Sequence, residues 1–220
     1  LSSTSPGISK AGSPGGDLKA SSRERILRVA DELFFANGLF ATGVNRIIEE
    51  SGVAKATFYS AFKSKDDLIA AYLELRHRQL MSRFNDIEHS TANVALRVDR
   101  IFDLLAAEVQ LPGFRGCLFV VASAELPDED VAVSARHWIR IHKLAVRDCF
   151  IRILHSSDSS DSTELAEQLA ILYDGALVTA AIRPDASPID RARSMALRLV
   201  SDRDTGVSHR RSSGRREPRG

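Results

Sequence analysis

Two cysteines, one tryptophan and two methionines are spread over 220 residues, and only 6% of the residues are aromatic. Cys117 and Cys149 are too few for a disulfide framework, and neither stands in a CxxC pair or at a Cys/His ligand spacing. Disulfide-stapled and zinc-ribbon folds are thereby excluded, and a reducing, cytoplasmic setting is expected. No run approaches the roughly 18 consecutive apolar residues that suggest a membrane span. The first residues are rich in Ser, Gly and Pro and lack a basic run followed by an apolar one, which predicts neither secretion nor membrane insertion. Leu1 in place of Met fits a non-AUG start or a shortened end. Catalytic signatures are missing as well. There is no nucleophile elbow, HExxH, P-loop or paired-carboxylate motif, so no enzyme is expected. His137 and His142 lie five residues apart instead of four and lack a third ligand; neither a metal site nor a cofactor is expected.

Against these absences, 44% of the residues are hydrophobic, enough for a substantial core. The formal net charge of +1 conceals a sorting along the chain. Residues 21–65 carry a net +2, residues 66–209 a net −6, and residues 210–220 a net +4. An acidic body with a basic N-terminal module suits a protein that meets a polyanion at one end. The Arg-rich end fits either plain solvation or added nonspecific affinity for DNA.

Every periodic segment is helical, and no strand pattern of period two competes. Residues 1–20 contain Pro6, Gly7, Gly12, Pro14, Gly15 and Gly16 and read as a disordered tail. Order is expected from Ser21, which forms a capping box with Glu24 ahead of Ile26, Leu27, Ala30, Leu33 and Phe34 at helical spacing. Gly38 should end that helix in the left-handed conformation. Short helices follow at 44–50 and 54–62, and a longer one from Ser64, whose hydroxyl can cap it, to about 84, with Asp66 and Asp67 favourably placed near its positive end. Further helices are expected near 91–110, 117–126, 129–155, 163–182 and 187–201. Asp128-Glu129-Asp130 is read as the acidic first turn of the 129–155 helix, not as catalytic carboxylates. Residues 202–220 return to polar, Arg-rich sequence and are expected to be disordered.

The two short helices, joined by Glu49-Glu50-Ser51-Gly52-Val53-Ala54, describe a helix-turn-helix. At about 100° per residue, Phe58 and Phe62 fall on one side of the third helix, with Ala56, Thr57 and Ser60 roughly opposite and Lys55 and Tyr59 at the flank. A small, polar outer face is what a helix needs to approach base edges in a major groove.

The run ILRVADELFFANGLFATGVNRIIEESGVAKATFYSAFKSKDDL closely resembles the N-terminal DNA-binding domain of TetR/AcrR family transcriptional regulators. The likeness is carried by Ala30, Leu33, Phe34, Gly38, Ala41-Thr42, Ile47, Gly52-Val53, Lys55, Thr57, Tyr59, Phe62 and Lys65. The resemblance implies an all-α homodimer that binds a palindromic double-stranded operator, usually as a repressor, and releases it when a small molecule enters the C-terminal domain. It also implies residue roles. Thr42, Tyr59 and Lys65 would contact phosphate, and Ala56, Thr57 and Ser60 would read bases, with Lys55 opening the recognition helix and able to join them. Ala54, Ala56 and Ser60-Ala61 depart from the family pattern, and the bases read by Ser60 stay open.

The chain then divides into a tail at 1–20, a DNA-binding domain at 21–66, a helical ligand-binding and dimerisation domain at 67–201, and a tail at 202–220. Phe84, Phe102, Phe119, Trp138, His142 and Tyr173 are the candidate pocket residues, against the reading that they are ordinary core. Leu165, Leu169, Leu172, Ala176 and Ala180 make an apolar stripe that would join the last two helices to a twofold-related copy in a four-helix bundle. The rival reading is a constitutive DNA-binding or accessory protein with no small-molecule inducer, and a helical enzyme stands third. An enclosed apolar cavity of some hundreds of cubic ångströms in the C-terminal domain would favour the inducible regulator, whereas a constitutive binder can have it filled.

Overall fold

The computed structural model describes residues 21–39, 41–126, 132–154, 161–183 and 185–212, with the backbone alone at 161 and 204–212. The expected tail at 1–20, the last residues of the other tail and the run Asp128-Glu129-Asp130 lie outside the described residues. Within them the helices are α1 (Ser22–Asn37), α2 (Val44–Ser51), α3 (Lys55–Ala61), α4 (Lys65–Ser90), α5 (Val94–Val109), α6 (Leu118–Glu125), α7 (Val133–Leu154), α8 (Asp161–Ile182) and α9 (Ser187–Ser212), and no strand occurs. The fold is all-α.

The starts of the helices follow from local chemistry. At α1 the Ser21 hydroxyl accepts the Glu24 N–H at 3.2 Å, and the Glu24 carboxylate accepts the Ser21 N–H at 2.8 Å. Two orphan donors are satisfied reciprocally. At α4 the Ser64 hydroxyl accepts the Asp67 N–H at 3.0 Å, and at α5 Asn93 does the same for Leu96 at 2.8 Å. Elsewhere the ends differ from expectation. The 26-residue α4 runs on to Ser90, because nothing after 84 breaks it until the Thr91 junction. The helix expected to end near 201 continues as α9 to Ser212, since Gly206 alone does not stop a helix.

Side chains from α1 to α4 and from the remaining helices merge into one apolar cluster. Ile26, Ala30, Ile47, Phe58, Leu68 and Tyr72 are fully buried, and the cluster continues through Phe84, Phe102, Phe150 and Tyr173. Phe34 of α1 meets Tyr72 of α4 with ring centroids 5.2 Å apart. Farther along, α4 packs on α7, α7 on α8, α8 on α9 and α9 on α5. The same helix, α4, therefore floors the N-terminal helices and walls the body.

Gly38 does end α1, but with φ 89° and ψ 164°, an extended ψ in place of the expected left-handed helical one. Its neighbours explain the glycine. A Cβ there would stand 2.8 Å from Arg115 Nη1 and 3.0 Å from Glu125 Oε1. The next residue, Leu39, is almost wholly buried, and its N–H donates to Glu125 Oε2 at 2.8 Å across 86 residues of sequence. The end of α6 thus grips the turn between α1 and α2. Glu125→Ala would leave that buried N–H without an acceptor. It should lower stability by about 1–3 kcal/mol in urea denaturation, whereas Glu125→Gln, which keeps an acceptor oxygen, should recover at least half of the loss.

Candidate functional site

Three helices and a tight turn build the N-terminal site. Gly52 caps α2 in the left-handed conformation (φ 63°, ψ 28°), and the Arg25 guanidinium donates to its carbonyl at 3.3 Å, tying the turn to α1. Helix α3 spans seven residues and has no side-chain cap at Ala54. It is held from behind instead. Phe58 is fully buried, Phe62 nearly so, and their rings stand 6.1 Å apart with the Arg23 guanidinium 4.8 Å above Phe62.

What remains on α3 points outward. Lys55, Ala56, Tyr59 and Ser60 are exposed and Thr57 is half-buried, with Tyr59 set edge-on to Phe58 at 5.3 Å. Lys65 opens α4 beside this face, half-buried; burial pulls its ammonium below the usual lysine value and the charge of Glu125 opposes that pull. Thr42 is oriented differently from the other six candidates. It is fully buried, and its hydroxyl lies 2.8 Å from the Gly38 carbonyl and 3.2 Å from the Leu33 carbonyl, both as acceptors. Its side chain ties the end of α1 to the start of α2.

A second feature lies among α4, α5, α6, α7 and α8. A cavity of about 260 Å³ is walled by Leu80, Leu104, Leu111, Leu118, Phe119 and Leu177 and by the polar groups of Arg76, Gln79, Arg83, Glu108, Cys117, His142 and Tyr173, with Ala107 completing it. Three of the expected pocket residues, Phe119, His142 and Tyr173, therefore meet in it. Phe84 and Phe102 are fully buried core residues away from the lining, and Trp138 lies outside the lining, 5.5 Å from the His77 ring. Phe119 and His142 are stacked, 3.5 Å between centroids at 6°. Desolvation, helped by Lys143 and His77, pushes His142 down to about 3, so the ring is neutral near pH 7. Burial pushes Glu108 up, against the opposing charges of Arg76 and Arg83.

Comparison with known proteins gives the same picture. Residues 26–72 match the family model for bacterial regulatory proteins of the tetR family. The crystal structure of SCO4454, a TetR-family transcriptional regulator from Streptomyces coelicolor, is 30% identical, with a TM-score of 0.73 over 82% of this chain and 96% of that one. The chain belongs to the TetR family of transcriptional regulators. Among curated relatives, the transcriptional repressor KstR2 of Mycobacterium tuberculosis is 33% identical over 82 residues, 37% of this chain and 41% of that protein. The fatty acid metabolism regulator protein of Bacillus subtilis is 33% identical over 91 residues, 40% of this chain and 47% of that protein. The chain thus spans less than half the length of the curated relatives it matches. Membership places it among regulators and not enzymes.

Several residues of this TetR-family chain escaped the sequence reading. Arg76, Gln79 and Arg83 recur at helical spacing on α4, inside the helix expected from Ser64 to about 84, and were passed over because charged and polar residues at that spacing look like a solvated face. Glu108 and Cys117 carried no such signal. Thr42 supplies the test for this site. Thr42→Val keeps the shape and removes the hydroxyl, and should cost about 1–2 kcal/mol in urea melts, with Thr42→Ser restoring most of it.

Proposed function

We propose that the protein is a cytoplasmic, homodimeric repressor that sets two α3 helices into successive major grooves of a palindromic operator and lets go when a small molecule occupies the cavity. The observation that carries this reading is the two-sided α3. Phe58 and Phe62 anchor its back, and its front offers only small or polar side chains. In this reading residues 21–66 bind DNA and residues 67–201 bind the effector and the second subunit. The names of the relatives, a repressor and a metabolic regulator, are in keeping with it. The cavity of about 260 Å³, open to one side and partly polar, leaves room for a small molecule and is in keeping with an inducible regulator, although it is not the enclosed apolar cavity expected of one.

The dimer contact moves to a different face from the one the sequence suggested. Leu165, Leu169, Ala176 and Ala180 are buried inside the protomer, and Leu172 is half-buried, because α8 packs on both α7 and α9. On the opposite side of α8, Ile171 and Ile182 are 69% and 78% exposed and Val178 40%, with Gly175 open between them. Met195 adds an exposed apolar group on α9. Dimerisation through these helices would cover the Ile171, Val178 and Ile182 face. By length and composition α8 could also cross a membrane, but its largest side chains facing α7 and α9 belong to the protein core.

Footprinting should protect an inverted repeat with half-sites about 34–36 Å apart; salt-sensitive, uniform coating would contradict the reading. Tyr59→Ala and Lys65→Ala should weaken binding to all sequences alike, whereas Thr57 or Ser60 variants should shift the preferred bases at about 1–3 kcal/mol per mismatched pair. If Tyr59→Ala changed the preferred sequence and Ser60 variants did not, the orientation given to α3 on DNA would be wrong.

Ile171→Asp combined with Ile182→Asp should yield a folded monomer by light scattering, with helical circular dichroism intact. Leu169→Asp, aimed into the protomer core, should unfold the chain instead. A dimer that survives the double substitution would place the interface elsewhere.

A further inference from the structure

Helix α4 carries a cation that serves two sides. Arg76 lines the cavity, and its Nη1 also stands 3.7 Å from Asp31 Oδ1 on α1, a separation too long for a hydrogen bond. Asp31 therefore holds the guanidinium by charge and leaves its N–H donors open to another acceptor. Tyr72, one turn earlier on α4, belongs to the same neighbourhood. Its hydroxyl is buried and without a hydrogen-bond partner among the described residues, and Arg76, Asp31 and Glu108 all act on it electrostatically.

The charges around the cavity do not cancel. Arg76 and Arg83 line it from α4 and Glu108 from α5, two cations against one carboxylate, and among the described residues neither arginine forms an ion pair with Glu108. Arg83 makes no ion pair or hydrogen bond at all among those residues. Lys143 is held by Asp174 at 2.6 Å and is not part of the lining, and His142 is neutral near pH 7. Within the lining, Gln79, Arg83 and Leu111 are exposed and mark the open side, whereas Phe119, His142 and Tyr173 are buried. Leu104, Leu118, Phe119 and Leu177 complete a wall that suits a carbon skeleton.

We propose that the occupant is a monocarboxylate with an aliphatic body, that Arg83 and Arg76 receive its carboxylate, and that Arg76, in turning to it, releases Asp31. Planar guanidinium groups match a carboxylate with paired N–H donors. One negative charge balances two arginines and Glu108. A phosphate monoester would leave the site net negative, and a neutral or cationic occupant would leave its positive excess unmatched. Release is felt on α1. Asp31 is half-buried, burial opposes its charge, and Arg76 supports it. Without the guanidinium its carboxylate is better served nearer water, which displaces the helix on which α2 and α3 pack. Carboxylate binding stands by itself; its consequence for DNA rests on the effector reading given above and is only as large as the difference in affinity between the two arrangements.

The test titrates the full chain by calorimetry with four head groups on one tail: octanoate, octan-1-ol, octyl phosphate and octylamine. Octanoate should bind roughly tenfold more tightly than the others, the worth of one charge-assisted hydrogen bond, and Arg83→Gln should remove about that factor. Glu108→Gln, which deletes a competing negative charge, should tighten octanoate binding. Asp31→Asn addresses Arg76. With its competitor gone octanoate should bind about threefold more tightly, the worth of a partly exposed ion pair, and should no longer shift operator affinity in fluorescence anisotropy, as it does in the wild type. Binding of any other head group as tightly as octanoate by the wild-type protein overturns the carboxylate, whatever the stability of the variants. Octanoate that binds through Arg83 yet leaves operator affinity unchanged upholds the carboxylate site and overturns the cavity as effector site. An Asp31→Asn protein, folded by circular dichroism, that still responds to octanoate on DNA overturns the role given to Arg76.

Discussion

A backbone N–H that is sealed from water must have an acceptor, and at Leu39 that acceptor comes from the far side of the molecule. The carboxylate of Glu125 reaches the α1–α2 turn at the point where Gly38 has no side chain to obstruct it. Much of the architecture depends on this contact. It sets where α6 ends relative to α1 and brings Arg115 beside the turn. It also keeps the N-terminal helices in register with the body, although α3 itself touches mostly α1. The same carboxylate lies close enough to Lys65 to counter the effect of burial on that ammonium.

The eight residues of α6 connect that grip to the cavity. Leu118 and Phe119, in its first turn, are part of the wall, and Glu125 is its last residue. A helix this short is stiff on the scale of side-chain motion, so a displacement at one end is delivered to the other. The continuous α4 offers a parallel route, with Arg76, Gln79, Leu80 and Arg83 on the cavity and Tyr72 against Phe34 of α1. An occupant can bias DNA binding only as far as it prefers one arrangement of these two helices to another.

How much of this the sequence revealed depends on the range of the chemistry involved. The caps at Ser21 and Ser64 and the two-sided α3 are local, set by residues three or four apart, and were legible. The extended ψ of Gly38 was not, because it is decided by Arg115 and Glu125, dozens of residues away; nor was the inward turn of Thr42, whose acceptors Gly38 and Leu33 are only four and nine residues back, because a threonine ahead of a helix reads the same in sequence whether its hydroxyl turns in or out. On α8 the difficulty was different. Apolar residues occur on both faces, and periodicity cannot say which face goes to the chain's own core. Leu169 and Ala180 point inward while Ile171 and Ile182 stay outside. Phe84 and Phe102 illustrate the limit for cavities: an aromatic at helical spacing looks the same whether it fills space or borders it.

The bareness of α3 has an evolutionary consequence. Seven residues without a side-chain cap do not form a stable helix on their own, so its order comes from Phe58 and Phe62 pressed into the cluster below. The exposed positions Ala56 and Ser60 contribute almost nothing to that order. Substitutions there are nearly neutral for folding, and under the proposed function drift at these positions is filtered by the DNA sequence alone. A duplicated copy of such a gene could wander to a new operator through a series of stable, folded intermediates, because the surface proposed to read DNA is not the surface that holds the helix in place.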